Sequence, residues 1–186
     1  MKKAALLACI LIVLSGCSSK DTELERGMAL RSKLLSAESV TFSAEIQADY
    51  GDRLHSFSLD CAADALGNLS FTVETPETIS GITGRVSREG GELTFDDAAL
   101  QFDLMADDQL SPVSAPWILM KTLRGGFLTS ACTEDNQIRL TIDDSYEDDA
   151  LQLDIWLDGD DLPARAEILY DGRKILSLHI SNFQIG

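Results

Sequence analysis

The chain has 186 residues, with 31 Asp and Glu against 15 Lys and Arg, a formal net charge of −16, and 45% hydrophobic residues. That charge repels nucleic acid and anionic lipid head groups, which excludes a reader of phosphate backbones and a domain that holds a membrane by a basic face. The length suits one domain with a proper core.

Met1-Lys2-Lys3 is a short basic start, followed by an apolar run from Ala4 to Val13 and then Leu14-Ser15-Gly16-Cys17. This is the layout of a secretory signal, and a run of about ten apolar residues is roughly half of what crosses a bilayer as a helix. Leu-Ser-Gly-Cys resembles the lipobox of bacterial lipoproteins. The resemblance implies cleavage before Cys17 and acylation of that thiol, with 1–16 as signal, 17–21 as lipidated tether and 22–186 as the domain. Loss of Lys2 and Lys3 takes the charge from −16 to −18. The expected location is the extracytoplasmic face of the cell membrane, where the N-terminal lipid makes the attachment. Cys9 leaves with the signal, so Cys61 and Cys132 remain. Outside the cytoplasm they either oxidise to the single intramolecular disulfide available or stay as buried free thiols.

Thr22-Glu23-Leu24-Glu25 has capping-box spacing and opens a helix to about Ser36, with Leu24, Met28, Leu34 and Leu35 as its apolar face and Gly27 as a weak point of about 1 kcal/mol. From residue 39 the period changes to two: Val40, Phe42, Ala44, Ile46 and Ala48 alternate with polar residues, then Phe57, Leu59, Cys61 and Ala63 do the same after the turn at Tyr50-Gly51-Asp52. Further short strands carry Leu69, Phe71 and Val73, stopped by Pro76, then Val86, Leu93 and Phe95, and Leu100 and Phe102. Gly81 and Gly84 mark a bend or a close backbone approach.

One interruption breaks the meander. Ser114 to Gly126 has Pro116 near a helix start and glycine at its end, and Trp117, Ile118, Leu119, Met120 and Leu123 occupy nearly every side. Such a helix is expected to be buried, plugging a concave sheet. Strands then resume through Ile138, Leu140 and Ile142, Leu151 to Leu157, Ala164 to Tyr170, and Leu176 to Ile180, with Asp158-Gly159-Asp160-Asp161 and Asp171-Gly172 as turns. About ten strands and two helices without a strand-helix-strand rhythm predict an α+β fold, a highly curved antiparallel sheet wrapped around helices.

The closing pattern is the most specific. Leu162-Pro163 opens a strand, Asp171-Gly172-Arg173 reverses it and Asn182-Phe183 closes the last one. With the N-terminal helix, the meander and the apolar plug, this resembles the LolA/LolB-like lipoprotein-localisation fold over most of residues 22–185. The resemblance implies an incomplete barrel around an apolar cavity that accepts acyl chains, lined here by Phe42, Ile46, Phe57, Leu59, Phe71, Trp117, Met120 and Ile155. For each of these, plain core packing is the alternative. The family's soluble carrier has an Arg-Pro pair entering the third strand, whereas this chain reads Ala62-Ala63-Asp64-Ala65-Leu66-Gly67. The resemblance is therefore closer to lipid-anchored members, including the GerS-like germination lipoproteins, and implies a partner of a cell-wall amidase as the alternative to a lipid or lipoprotein binder.

No nucleophile elbow or phosphate loop occurs, so no catalytic residues are assigned and an envelope hydrolase is disfavoured. His55 shares a face with Phe57 and Leu59 and is expected partly buried, while His179 is expected solvated. Neither has a second ligand at metal spacing. The carboxylates at 143–149 and 158–161 lack the complete alternation of a calcium loop and read as turn residues on an acidic surface. Neither a metal nor a cofactor is expected.

Overall fold

Eleven antiparallel strands form one continuous open sheet, with two helices packed on one of its faces. The computed structural model describes residues 19–49, 54–96, 98–103, 105–106, 109–147 and 150–186. The expected signal segment and Cys17 lie outside the described residues.

The elements are α1 (Ser19–Ser36), β1 (Ser39–Asp49), β2 (Leu54–Asp64), β3 (Leu69–Thr75), β4 (Thr83–Ser87), β5 (Gly90–Phe95) and β6 (Ala98–Phe102). The two-residue strands β7 (Met105–Ala106) and β8 (Gln109–Leu110) and a 3-10 turn follow. Then come α2 (Ala115–Gly125), β9 (Phe127–Glu134), β10 (Gln137–Asp143), β11 (Leu151–Leu157), β12 (Pro163–Tyr170) and β13 (Arg173–Ile185). The sheet order β6-β5-β4-β3-β2-β1-β13-β12-β11-β10-β9 is two meanders seamed where the first strand meets the last. The eleven strands of this sheet agree with the expected about ten, and β7 and β8 form a separate two-stranded ribbon.

The period of two does what it predicts. In β1 the even positions Val40 to Ala48 are buried and the odd ones are exposed or half-buried. Register then carries one apolar row across six strands, from Phe57 through Ile46, Leu178, Ala166 and Ile155 to Leu140. Gly84 and Gly91 lie opposite Phe71 and Phe102, and a Cβ on Gly84 would come within 2.7 Å of Phe71 Cε1. The rings occupy the space the missing side chains leave, which is how a strand glycine serves a bent sheet.

At the closing hairpin Pro163 begins β12, and Asp171 and Gly172 take φ of 49° and 71°, as a two-residue turn matched to strand twist requires. Asn182 sits at φ 54° where the β1–β13 register shifts, and Phe183 stacks on Phe42 at 5.4 Å between ring centroids.

Two expectations are corrected. In α1 the buried stripe is Gly27, Leu30 and Leu34, whereas Leu24, Met28 and Leu35 are exposed. The reason is Gly27: a Cβ there would sit 2.8 Å from Leu140 Cδ2, so the glycine permits the close approach that fixes the rotation of the helix on the sheet. His55 is exposed, because it lies next to the end of β2 where the sheet face runs out. The second helix matches its pattern, with residues 115–120, 122 and 123 all buried.

The face turned away from the helices is polar, with one organised cluster. Asp154, 4% exposed, accepts from Arg139 Nη2 and Thr141 Oγ1, both at 2.7 Å. Trp156 lies between the guanidiniums of Arg139 and Arg165, 5.4 and 3.7 Å from its ring centre. This covering layer explains why β11 is buried on both faces.

Candidate functional site

Asp64, at the end of β2, organises the site. Its carboxylate accepts the backbone N–H groups of Leu66 and Asn68 at 2.9 Å each and the Asn68 side-chain amide at 2.8 Å. This Asx-type turn throws Leu66 into solvent at 89% exposure, and Gly67 supplies the φ of +88° that the reversal needs. The Gly67 carbonyl accepts the indole N–H of Trp117 at 2.8 Å, which staples the turn to α2.

Between that turn, the C-terminal end of α1, α2 and the residues after β10 lies a cleft of about 740 Å³. Its floor is Trp117, Met120 and Leu69, and Leu35 and Leu66 form an exposed apolar lip. The volume falls in the range of small-molecule sites, about 300–1,000 Å³. Cations stand around it: Arg88 from the β4–β5 turn, and Lys121 and Arg124 from α2. Lys121 pairs with Asp144 at 3.1 Å and lies 5.8 Å over the Trp117 ring. Arg124 donates from Nη1 to the Asp64 carbonyl at 2.7 Å and from Nε to the Leu34 carbonyl at 3.2 Å, while its buried Nη2 finds no acceptor. Burial lowers the pKa of this guanidinium, partly offset by the Asp64 charge.

A second depression of about 620 Å³ crosses the opposite face of the sheet over β1 to β5. Its side chains are polar and partly satisfy one another, as in Ser43 Oγ donating to Asp60 Oδ1 at 2.7 Å. It has a floor of strand backbone and no exposed apolar lip. The cleft against α2 is the better ligand site.

The eight residues expected to line a cavity are divided by the fold. Trp117 and Met120 reach the cleft. Phe42 and Phe71 are buried core residues whose strand backbone forms part of the floor of the polar trough on the other face. Ile46, Leu59 and Ile155 are fully buried in the core, and Phe57 packs against it. The Cys61–Cys132 cross-link is not formed and both thiols are free. Cys61 is buried on β2 beside Phe42, Cys132 is exposed on edge strand β9, and six strand positions separate them.

Sequence reasoning missed Leu66, Arg88, Lys121 and Arg124. An apolar residue inside a turn that ends in Gly67-Asn68 was the available signal for Leu66. Arg124 carried a weaker one, as a cation in the last turn of a helix. Nothing in the sequence brings Arg88 to α2.

Among the described residues, no group of three His, Cys, Asp or Glu side chains is placed to hold a metal ion, and no helix is long and apolar enough to cross a membrane. The carboxylates of the 158–161 loop serve the turn and α1: Asp158 Oδ1 accepts the N–H groups of Asp160 and Leu162 at 2.9 and 3.0 Å, and Asp161 pairs with Arg26.

No family model matches the chain, and no curated protein matches it by sequence. Among solved structures it is similar to a LolA superfamily protein from Nitrosomonas europaea at 9% identity and a TM-score of 0.48, over 91% of this chain and 94% of that one. It is similar to an uncharacterized conserved protein from Thermus thermophilus at 11% identity and a TM-score of 0.48, over 88% and 87%. Lipoprotein LppX from Mycobacterium tuberculosis is similar at 15% identity and a TM-score of 0.43, over 89% and 96%.

Proposed function

We propose that the chain is a non-catalytic, lipid-anchored envelope protein that takes an acyl chain into the cleft between α1, α2 and the β2–β3 turn. The observation that carries this reading is an open cleft of about 740 Å³ with an apolar floor and a lip of two leucines, Leu35 and Leu66, exposed at 63% and 89%. A lone exposed leucine is ordinary. Two flanking a cleft floored by Trp117 and Met120 make a site where an acyl chain replaces water at about 0.8 kcal/mol per methylene. The anchor is Cys17, in the lipobox-like stretch after an apolar signal.

Native mass spectrometry of the purified full chain tests the ligand. A co-purified acyl lipid, or capture of added 9,10-dibromostearate, is expected. A chain that carries neither overturns the reading. Intact mass of the mature product tests the anchor, since cleavage before Cys17 with acylation gives a mass that an unmodified product does not.

A second reading is a GerS-like partner of a cell-wall amidase. The exposed apolar row Leu24, Met28 and Leu35 along α1 favours it, since a protein face can cover such a stripe. Recovery of an amidase with the chain, lost when Met28 becomes Glu, is the result this reading requires.

A further inference from the structure

The charge around the cleft is the reverse of the charge on the chain. Acids outnumber bases two to one overall, at 31 to 15, yet among the described residues the cleft lining has Arg88, Lys121 and Arg124 against Asp144, and Asp64, whose charge reaches Arg124 from behind the turn, is shared with Arg85 at 3.9 Å. The three cations are not equally occupied. Lys121 is held by Asp144, Arg124 is committed to two carbonyls with Nη2 left over, and Arg88 is exposed and makes no ion pair with any described residue. Free cations on a strongly acidic protein normally find carboxylates. Among the described residues, Arg88 and the spare donor of Arg124 have none, beside the apolar floor of Trp117 and Met120.

Resting on the acyl-cleft reading, we infer that the ligand is a single-chain amphiphile with a phosphate head, its chain on Trp117 and Met120 and its head among Arg88, Lys121 and Arg124. The charge decides between heads. The described lining residues have an excess of two positive charges, which a phosphomonoester of about −1.5 to −2 balances and a carboxylate only half balances. Geometry agrees, because the guanidinium fork of Arg88, the point-charge ammonium of Lys121 and the one donor left over on Arg124 suit several phosphate oxygens better than two carboxylate ones. The negative surface elsewhere does not oppose this, since at about 0.15 M salt charges beyond about 8 Å are largely screened.

The test uses the full chain carrying Trp156→Phe, which leaves Trp117 as the sole tryptophan and keeps an aromatic ring between Arg139 and Arg165. Quenching of Trp117 by 9,10-dibromostearate reports occupation of the cleft, and oleoyl lysophosphatidate, oleate and monoolein are then compared as displacers. Lysophosphatidate is expected to act at a concentration at least tenfold below monoolein and at least threefold below oleate. The Arg88→Gln and Lys121→Gln double variant is expected to remove the tenfold advantage while monoolein stays within twofold, which also shows that the variant is folded. Equal action of lysophosphatidate and monoolein overturns the phosphate head and leaves the acyl cleft standing, and oleate matching lysophosphatidate overturns the choice of phosphate over carboxylate. Absence of quenching by dibromostearate overturns the acyl-cleft reading itself.

Discussion

Arg31 and Arg124 cap each other's helices. Arg31, in α1, donates from Nε to the carbonyl of Leu123 near the end of α2 at 2.8 Å, and Arg124, in α2, donates from Nε to the carbonyl of Leu34 near the end of α1 at 3.2 Å. Both carbonyls belong to last turns, where no intrahelical donor exists, and both ends carry the negative pole of the helix dipole. The exchange locks the two helices together at the margin of the cleft, and Nη1 of Arg124 extends the lock to the β2–β3 turn through Asp64.

Arg124→Met is expected to cost about 2–4 kcal/mol, since charge-assisted bonds contribute about 1.5–3 kcal/mol each and the truncation strands two acceptors. Arg31→Met, which loses the bond to Leu123 and a long one from Nη2 to the Thr122 carbonyl at 3.5 Å, is expected to cost somewhat less. Urea unfolding of the single and double variants checks it. Because both side chains fix the same helix pair, the double variant should fall short of the summed cost by about 0.5 kcal/mol or more.

Leu66→Glu is expected to leave stability within about 0.5 kcal/mol, because the side chain is almost wholly in water. It places a charge on the lip of the cleft. Affinity for dibromostearate, read by Trp117 quenching, is expected to fall at least tenfold, while an unchanged affinity removes Leu66 from the site.

The two thiols are expected to separate by reactivity. Burial, aided by the charge of Asp60, raises the Cys61 thiol far above its ordinary range, whereas Cys132 is exposed. Iodoacetamide followed by peptide mapping should find Cys132 alkylated first and Cys61 only on unfolding. The raised value also sets a pH dependence. Native Cys61 keeps its proton while the unfolded chain releases its own above about pH 8.5, so this contribution is complete below that pH and is lost as pH rises, by up to about 1.4 kcal/mol per unit. Cys61→Ala should flatten the alkaline fall.

Asp64 sets the acid side. Burial pushes its carboxyl up, but the Asn68 side-chain amide, the N–H groups of Asn68 and Leu66 and the nearby Arg85 together hold it below the usual carboxylate range. A depressed carboxyl stabilises above its unfolded value and loses that contribution as pH falls through the folded one, so the loss begins near pH 4. Asp64→Asn should therefore show a shallower fall in urea midpoint below that pH than the unaltered chain.

Much of the architecture was legible because strand and helix periods are local. The alternation from Val40 to Ala48 fixes which side chains share a face, Asp171-Gly172 fixes a hairpin, and apolar residues on every side of 115–123 allow only a buried helix. The site was less legible. An inward-facing strand residue is the same in sequence whether it meets a ligand or another side chain, which is why Ile46, Leu59 and Ile155 prove to be core while Trp117 and Met120 reach the cleft.

By itself the sequence set the expectation of a signal segment before Cys17 and determined an acidic chain, an antiparallel α+β sheet and the absence of any nucleophile-elbow or phosphate-loop motif. Only the tertiary structure decided that Leu30 and Leu34 rather than Leu24 and Met28 turn inward, that Arg31 and Arg124 exchange caps across 90 residues and more of chain, and that three cations gather beside an apolar floor. The reason is physical. Rotation of a helix and the meeting of distant side chains depend on how surfaces fit, such as Gly27 against Leu140, and no pattern within a short stretch contains that fit.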